Sequence, residues 1–204
     1  MNILVIDLTK DTHYLAIHYN NKKHYFSFHN EERDKKNDWI EKINKIKDEI
    51  PDFSFENLDS AAYAAGPGSY TGARLAYTFL DTIKLVTNCD FYAFSNLSAL
   101  QWNNDSMTPV IKGNKNDYFY KVNEKEMYCK NFKEIPDNHD FVSYSSEIPE
   151  LNNVKQLEER EIASNILEMM LDNVGNALES NYPNYIKELD YVKQAKATKI
   201  SIAD

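Results

Sequence analysis

The stretch "YAAGPGSYTGARLAYTFL", Tyr63 to Leu80, decides how the chain reads. Of five glycines in 204 residues, Gly66, Gly68 and Gly72 fall inside it, between an apolar run and a helical pattern. A buried strand, "LDSAAYAA", leads in; Leu75, Phe79 and Ile83 follow at four-residue steps with Ala76 and Leu80 beside them, which predicts a helix with that stripe toward the sheet. Between the two, "GPGSYTG" supplies glycines able to take positive φ, Pro67 to fix the turn, and Ser69 or Thr71 as a capping hydroxyl. Such a turn lets another backbone approach closely. A helix start of this kind also suits an anion. The spacing G-x-G-x-x-x-G is nevertheless neither the dinucleotide fingerprint nor a P-loop, so a structural turn of Gly66, Pro67, Gly68, Ser69, Thr71 and Gly72 is the stronger expectation.

Outward from this stretch, "ILVIDLT" reads as a strand buried on both faces, and "THYLAIHY" and "KKHYFSFH" as a hairpin turning at Asn20-Asn21. "NDWIEKINKIKDEI" places Trp39, Ile43, Ile46 and Ile50 on one helical stripe, opened by Asp38 and Glu41 at capping-box spacing and ended by Pro51. "CDFYAFS" reads as a strand and "NLSALQWNN" as a short helix. Beyond them, "TPVIKG", "DYFYKVN" and "KEMYCKNF" suggest a meander, "DFVSYSS" another strand, and "EEREIASNILEMMLDNV" an amphipathic helix. We expect a mixed sheet flanked by helices in residues 1–103 and a smaller α/β domain in 104–204, with no internal repeat evident.

Composition narrows the function. Hydrophobic residues at 42% and aromatics at 13% are enough for a packed core. The net charge of −9 argues against autonomous binding of nucleic acid, which needs clustered Lys and Arg to displace counterions. No long uncharged apolar run exists, and "MNILVIDLTKD" lacks a basic start before Asp7, so a cytoplasmic location is expected and no membrane partner. Cys89 and Cys129 lack metal-ligand spacing, and none of His13, His18, His24, His29 and His139 forms an H-x-x-x-H pair. Ser69 lies in G-P-G-S rather than in a G-x-S-x-G elbow, so nucleophilic catalysis finds no support.

The motif "GPGSYTGARLAYTFL", following "LDSAAYAA" and with "ILVIDLT" at the N-terminus, resembles the TsaB (YeaZ) family, which acts in threonylcarbamoyladenosine synthesis on tRNA. Gly66, Pro67, Gly68, Ser69, Thr71, Gly72 and Arg74 match that family's G-x-G-P-G-S-F-T-G-x-R stretch; Tyr70 replaces its Phe and Ala64 its first Gly. The likeness covers roughly the first hundred residues in element order. It thins afterwards to Pro183-x-Tyr185 and "LDYVKQA", and "VIKGNKNDYFY" keeps only the strand-turn-strand pattern where the family has I-D-A-R-x-x-E-V-Y.

The resemblance implies an actin-like ATPase (ribonuclease H-like) fold with a degenerate second domain. It implies a non-catalytic subunit that heterodimerises with a TsaD-like enzyme and meets tRNA only through the complex. Catalytic, cofactor-binding and metal residues are then none in this chain; a nucleotide would belong to a joint with the TsaD-like subunit and a TsaE-like ATPase, and a homodimer would form when the partner is absent. The outer side of the second helix, Arg74, Tyr77, Thr78 and Asp81, would form the interface with residues of the first helix, although the same positions read equally well as solvated side chains. In the superfamily's active members phosphates sit on a glycine-containing first hairpin; here "DLTKDT" has Leu8 and Lys10 instead, and Leu8 is expected to crowd such an approach. The alternatives are a free-standing ATPase or small-molecule kinase of that superfamily, and a diverged binding module.

Overall fold

The computed structural model describes residues 1–29, 39–113, 117–136, 140–144, 148, 153–172 and 174–187. The capping position Asp38, His139 and the "LDYVKQA" segment lie outside them.

Strand β1 (Ile3–Asp7) is buried along its whole length, as its continuous branched apolar run requires. It pairs antiparallel with β2 (Thr12–Tyr19), which pairs antiparallel with β3 (Lys22–His29). Asn20 and Asn21, at φ of 50° and 62°, make the two-residue turn that the right-handed twist of a hairpin favours. The chain then passes through α1 (Trp39–Glu49) to β4 (Ser60–Ala64), which lies parallel to β1, and through α2 (Tyr70–Thr87) to β5 (Asp90–Phe94), parallel to β4. The first sheet is ordered β3-β2-β1-β4-β5.

After the short α3 (Asn96–Gln101), β6 (Thr108–Lys112), β7 (Tyr118–Val122) and β8 (Lys125–Cys129) form an antiparallel meander. β9 (Phe141–Tyr144) then joins β6 in parallel, and β10 (Val154–Leu157), which the sequence pattern does not announce, joins β9 in parallel. The second sheet is ordered β8-β7-β6-β9-β10. Each sheet is therefore an antiparallel meander of three strands extended by two parallel strands on the side of its first strand. The fold repeats a topology that the sequence does not repeat.

The layers follow from which face of each strand is apolar. Leu4, Ile6 and Leu8, with Ala61, Tyr63 and Phe91, face α1 and α2. Ile3, Val5, Ala62 and Ala64 face helix α4 (Glu161–Asp172). Small side chains on β4 admit α4 closely, and α4 carries Ile162, Ala163, Ile166, Leu167, Met169 and Met170 because it is covered on most sides. α3 packs on α4 and on β6, β7 and β9, so the two helices fill the space between the sheets. The far face of the second sheet has its own core of Val110, Tyr118, Tyr120, Ile135 and Phe141.

In α2 the residues turned to the sheet are Ala73, Ala76 and Leu80, rather than the expected stripe of Leu75, Phe79 and Ile83. Phe79 is half-buried against the neighbouring helix, its ring stacked on Trp39 at 3.7 Å and 3°, with Phe55 meeting it edge-on at 5.9 Å. Small residues at positions 72, 73 and 76 bring α2 down on the sheet, and the larger side chains are left to bridge the two helices.

Candidate functional site

The glycine turn is built by contact with the end of β1. Gly66 has φ of +111°, the left-handed region where a side chain is strained, and Gly66-Pro67 is a cis peptide. Gly68 and Gly72 do not have positive φ. Their role is close approach: a Cβ on Gly68 would lie 2.8 Å from Thr9 Cβ, and one on Gly72 would lie 1.7 Å from the Leu8 carbonyl oxygen. The Ser69 N–H donates to the Thr9 carbonyl at 2.9 Å, and the Ser69 hydroxyl accepts from the Gly72 N–H at 3.2 Å, capping α2. Thr71, the other candidate hydroxyl, is exposed on the first turn.

Two carbonyl oxygens of the chain thus stand at the start of α2. An anion placed there would face their lone pairs, and two of the helix-start N–H groups already have acceptors. The Leu8 side chain, expected to crowd the hairpin, is instead turned into the core beneath α2; the crowding comes from its backbone. The turn's glycines serve this backbone contact with β1.

Behind the turn lies a buried polar chain that the sequence did not single out. Asp7, fully buried, accepts through Oδ1 from the Thr9 N–H at 2.8 Å and the Thr9 hydroxyl at 2.6 Å. Thr9 Oγ1 accepts from Asn96 Nδ2 at 2.8 Å, and Asn96 Oδ1 accepts from the Gly66 N–H at 3.0 Å, while the Asn96 N–H donates to the Gly66 carbonyl at 2.8 Å. The ends of β1 and β4 and the start of α3 are thereby fixed to one another. Asp7 Oδ2 is buried without a hydrogen-bond partner, and burial pushes the carboxyl above its ordinary range against the opposing pull of Thr9. The signal for this network was the pair Asp7-x-Thr9, a short acceptor–donor repeat at a strand end; Asn96 had none.

Of the expected interface residues, Arg74 and Tyr77 are engaged by the chain itself. Arg74 Nε donates to the Tyr185 hydroxyl at 2.7 Å. Tyr77 packs on Tyr63, Phe91 and Tyr182, with ring centroids 6.4, 5.8 and 5.3 Å away. Thr78 is exposed and Asp81 half-exposed, and further along α2 Leu85 and Val86 are 79% and 72% exposed. Turn and outer face therefore share one helix, with the Pro183-x-Tyr185 segment lying beside it.

Among the described residues no three His, Cys, Asp or Glu side chains converge to hold a metal ion. His13 is buried on β2, whereas His18, on the other face, is half-exposed. Cys89 and Cys129 are buried free thiols, both pushed up by burial. No described helix is long and apolar enough to cross a membrane.

No protein-family model and no curated protein sequence matches the chain. Solved structures do. An uncharacterized protein with similarity to peptidase YEAZ, from Pseudomonas aeruginosa, superposes with a TM-score of 0.70 at 13% identity, over 91% of this chain and 99% of that one. YeaZ from Pseudomonas aeruginosa superposes with a TM-score of 0.67 at 13% identity, over 90% of this chain and its full length. The chain shares the YeaZ fold, an actin-like ATPase (ribonuclease H-like) α/β architecture, along nearly its entire length, including the second sheet where the sequence resemblance thins.

Proposed function

We propose that the chain is a TsaB (YeaZ)-family, non-catalytic subunit of a cytoplasmic complex that forms threonylcarbamoyladenosine on tRNA beside the anticodon. In this reading it acts by heterodimerising with a TsaD-like enzyme, and it meets tRNA and a TsaE-like ATPase only within the complex. The observation that carries the proposal is the fit of Leu8 and Thr9 against Gly68 and Gly72. The residues matching the family motif serve that contact, which closes the end of β1 against the start of α2. The shared fold over nine-tenths of the chain supports it. Co-expression with a TsaD-like protein followed by size-exclusion chromatography tests it: a co-eluting heterodimer is expected, and separate elution overturns it. Depletion of the protein should also lower modified adenosine in tRNA, read by mass spectrometry.

A second reading, a free-standing ATPase or small kinase, draws on the buried Asp7 carboxylate oxygen without a partner. It requires heat of binding when the isolated chain is titrated with ATP and magnesium; a flat titration at millimolar nucleotide dismisses it.

A further inference from the structure

The segment 177–187 touches both sheets. On the first sheet's side the Leu178 N–H donates to the Ala93 carbonyl at 2.8 Å, the Asn184 N–H donates to the Ala65 carbonyl at 2.9 Å, and the Tyr63 hydroxyl donates to the Asn181 carbonyl at 2.7 Å. The Asn184 carbonyl lies against Gly66, 3.4 Å from where a Cβ would stand. On the second sheet's side, Asn184 Nδ2 donates to Glu126 Oε2 of β8 at 2.6 Å. Lys187 Nζ donates to Asp117 Oδ2, just ahead of β7, at 2.7 Å and stands 4.8 Å from the Tyr128 ring centroid. The other Glu126 oxygen accepts from the hydroxyl of Ser95, the N-cap of α3. Asn184 therefore holds the end of the first sheet with its main chain and the second sheet with its side chain.

We infer that residues 177–187 are a latch that fixes the second sheet to the glycine turn of the first. α3 and α4 pack between the sheets and act as the hinge, with Lys10 over the Tyr144 ring at 4.2 Å as a smaller tie. The latch is polar and charge-assisted at its second-sheet end, where Asp117 is held below its ordinary range by the Lys187 and Tyr128 hydrogen bonds although burial opposes them. A polar end on a half-exposed surface opens at lower cost than the apolar packing around α4, so opening at Glu126 and Asp117 precedes loss of the hinge. Tyr182 and Tyr185 lie on Tyr77 and Tyr70, so the same segment couples the exposed side of α2 to the position of β7 and β8.

Hydrogen exchange on the full chain, read by mass spectrometry, tests the latch through a donor–acceptor swap. Asn184→Asp sets two carboxylates against each other and should speed exchange in 177–187 and in β7–β8 about tenfold or more, with β2–β3 unchanged. Glu126→Gln combined with Asn184→Asp reverses the donor and the acceptor, and should restore both regions to near wild-type exchange. Should Asn184→Asp fail to fold, Lys187→Met breaks the other tie and should loosen the same two regions. Unchanged exchange in the single variants, loosening that extends equally to β2–β3, or a swap that restores nothing each overturns the inference.

Discussion

The Leu8 carbonyl oxygen occupies the space that a Cβ on Gly72 would need, the two positions lying 1.7 Å apart. The contact is backbone against backbone, with no flexible side chain to move aside. Gly72→Ala must therefore shift β1 or the start of α2, and is expected to cost more than about 3 kcal/mol or to prevent folding. Gly68→Ala meets the Thr9 side chain at 2.8 Å and its carbonyl at 3.1 Å, where some adjustment is available, and should cost about 1–3 kcal/mol. Urea denaturation of both variants checks the order. A Gly72→Ala protein as stable as Gly68→Ala would contradict the contact.

Thr9 is the middle of the buried chain from Asp7 to Asn96. Thr9→Val keeps the shape but removes the hydroxyl, leaving Asn96 Nδ2 without its acceptor and Asp7 Oδ1 with the N–H alone. The expected loss is about 1–3 kcal/mol. Combined with Asn96→Ala, the penalty should fall short of the sum of the single variants, because the two changes remove one shared bond. Chemical denaturation of the three proteins measures this. Strict additivity would mean that the hydroxyl and the amide act separately.

The strands β1 and β2, the Asn20-Asn21 hairpin and the strand-turn-helix at Gly66 were legible because each is written locally: branched apolar runs, residues that accept positive φ, a hydroxyl before a helical stripe. The rotation of α2 was not. Its largest apolar residues suggest a sheet-facing side, but glycine and alanine set how closely a helix approaches, so Ala73, Ala76 and Leu80 took the sheet and Phe79 took Trp39. Arg74 and Tyr77 read as free interface residues because nothing in the sequence tells that a segment a hundred residues later lies on them. The repeated topology of the sheets was hidden for a related reason. Pairing order is a property of which strand edges meet, and different side chains satisfy it in each half.

Lys42 sits on the buried stripe of α1 between Trp39 and Ile46, its ammonium 4.9 Å from the Phe28 ring centroid. Burial lowers its pKa from 10.5 to about 8. Between those two values the unfolded chain binds more protons than the folded one, so this residue makes stability rise with pH from about 8 to about 10.5. Lys42→Met removes this titration, so the stability difference between the two proteins should be level below about pH 8 and move steadily in favour of wild type above it. The difference between the two stability–pH curves, which cancels the other titrating groups, is the measurement. A difference that stays flat from pH 7 to 10 would place the ammonium in water.

Docking of a TsaD-like partner on the outer face of α2, which the family resemblance implies, is separable from the stability of that helix by the choice of residue. Tyr77→Ala would remove a ring that contacts Tyr63, Phe91 and Tyr182, and would weaken the fold and the binding together. Thr78 and Asp81 offer a cleaner test, since Thr78 is exposed and Asp81 half-exposed and neither side chain belongs to the apolar core. Thr78→Arg and Asp81→Arg should leave stability within about 0.5 kcal/mol of wild type. A bulky charge at the centre of an interface should nevertheless weaken co-elution with the partner by about tenfold or more. Thermal unfolding and size-exclusion chromatography on the same preparations read the two effects side by side. If both variants bind as wild type does, the partner does not sit on this face, and the exposed Leu85 and Val86 at the far end of the helix become the next positions to change.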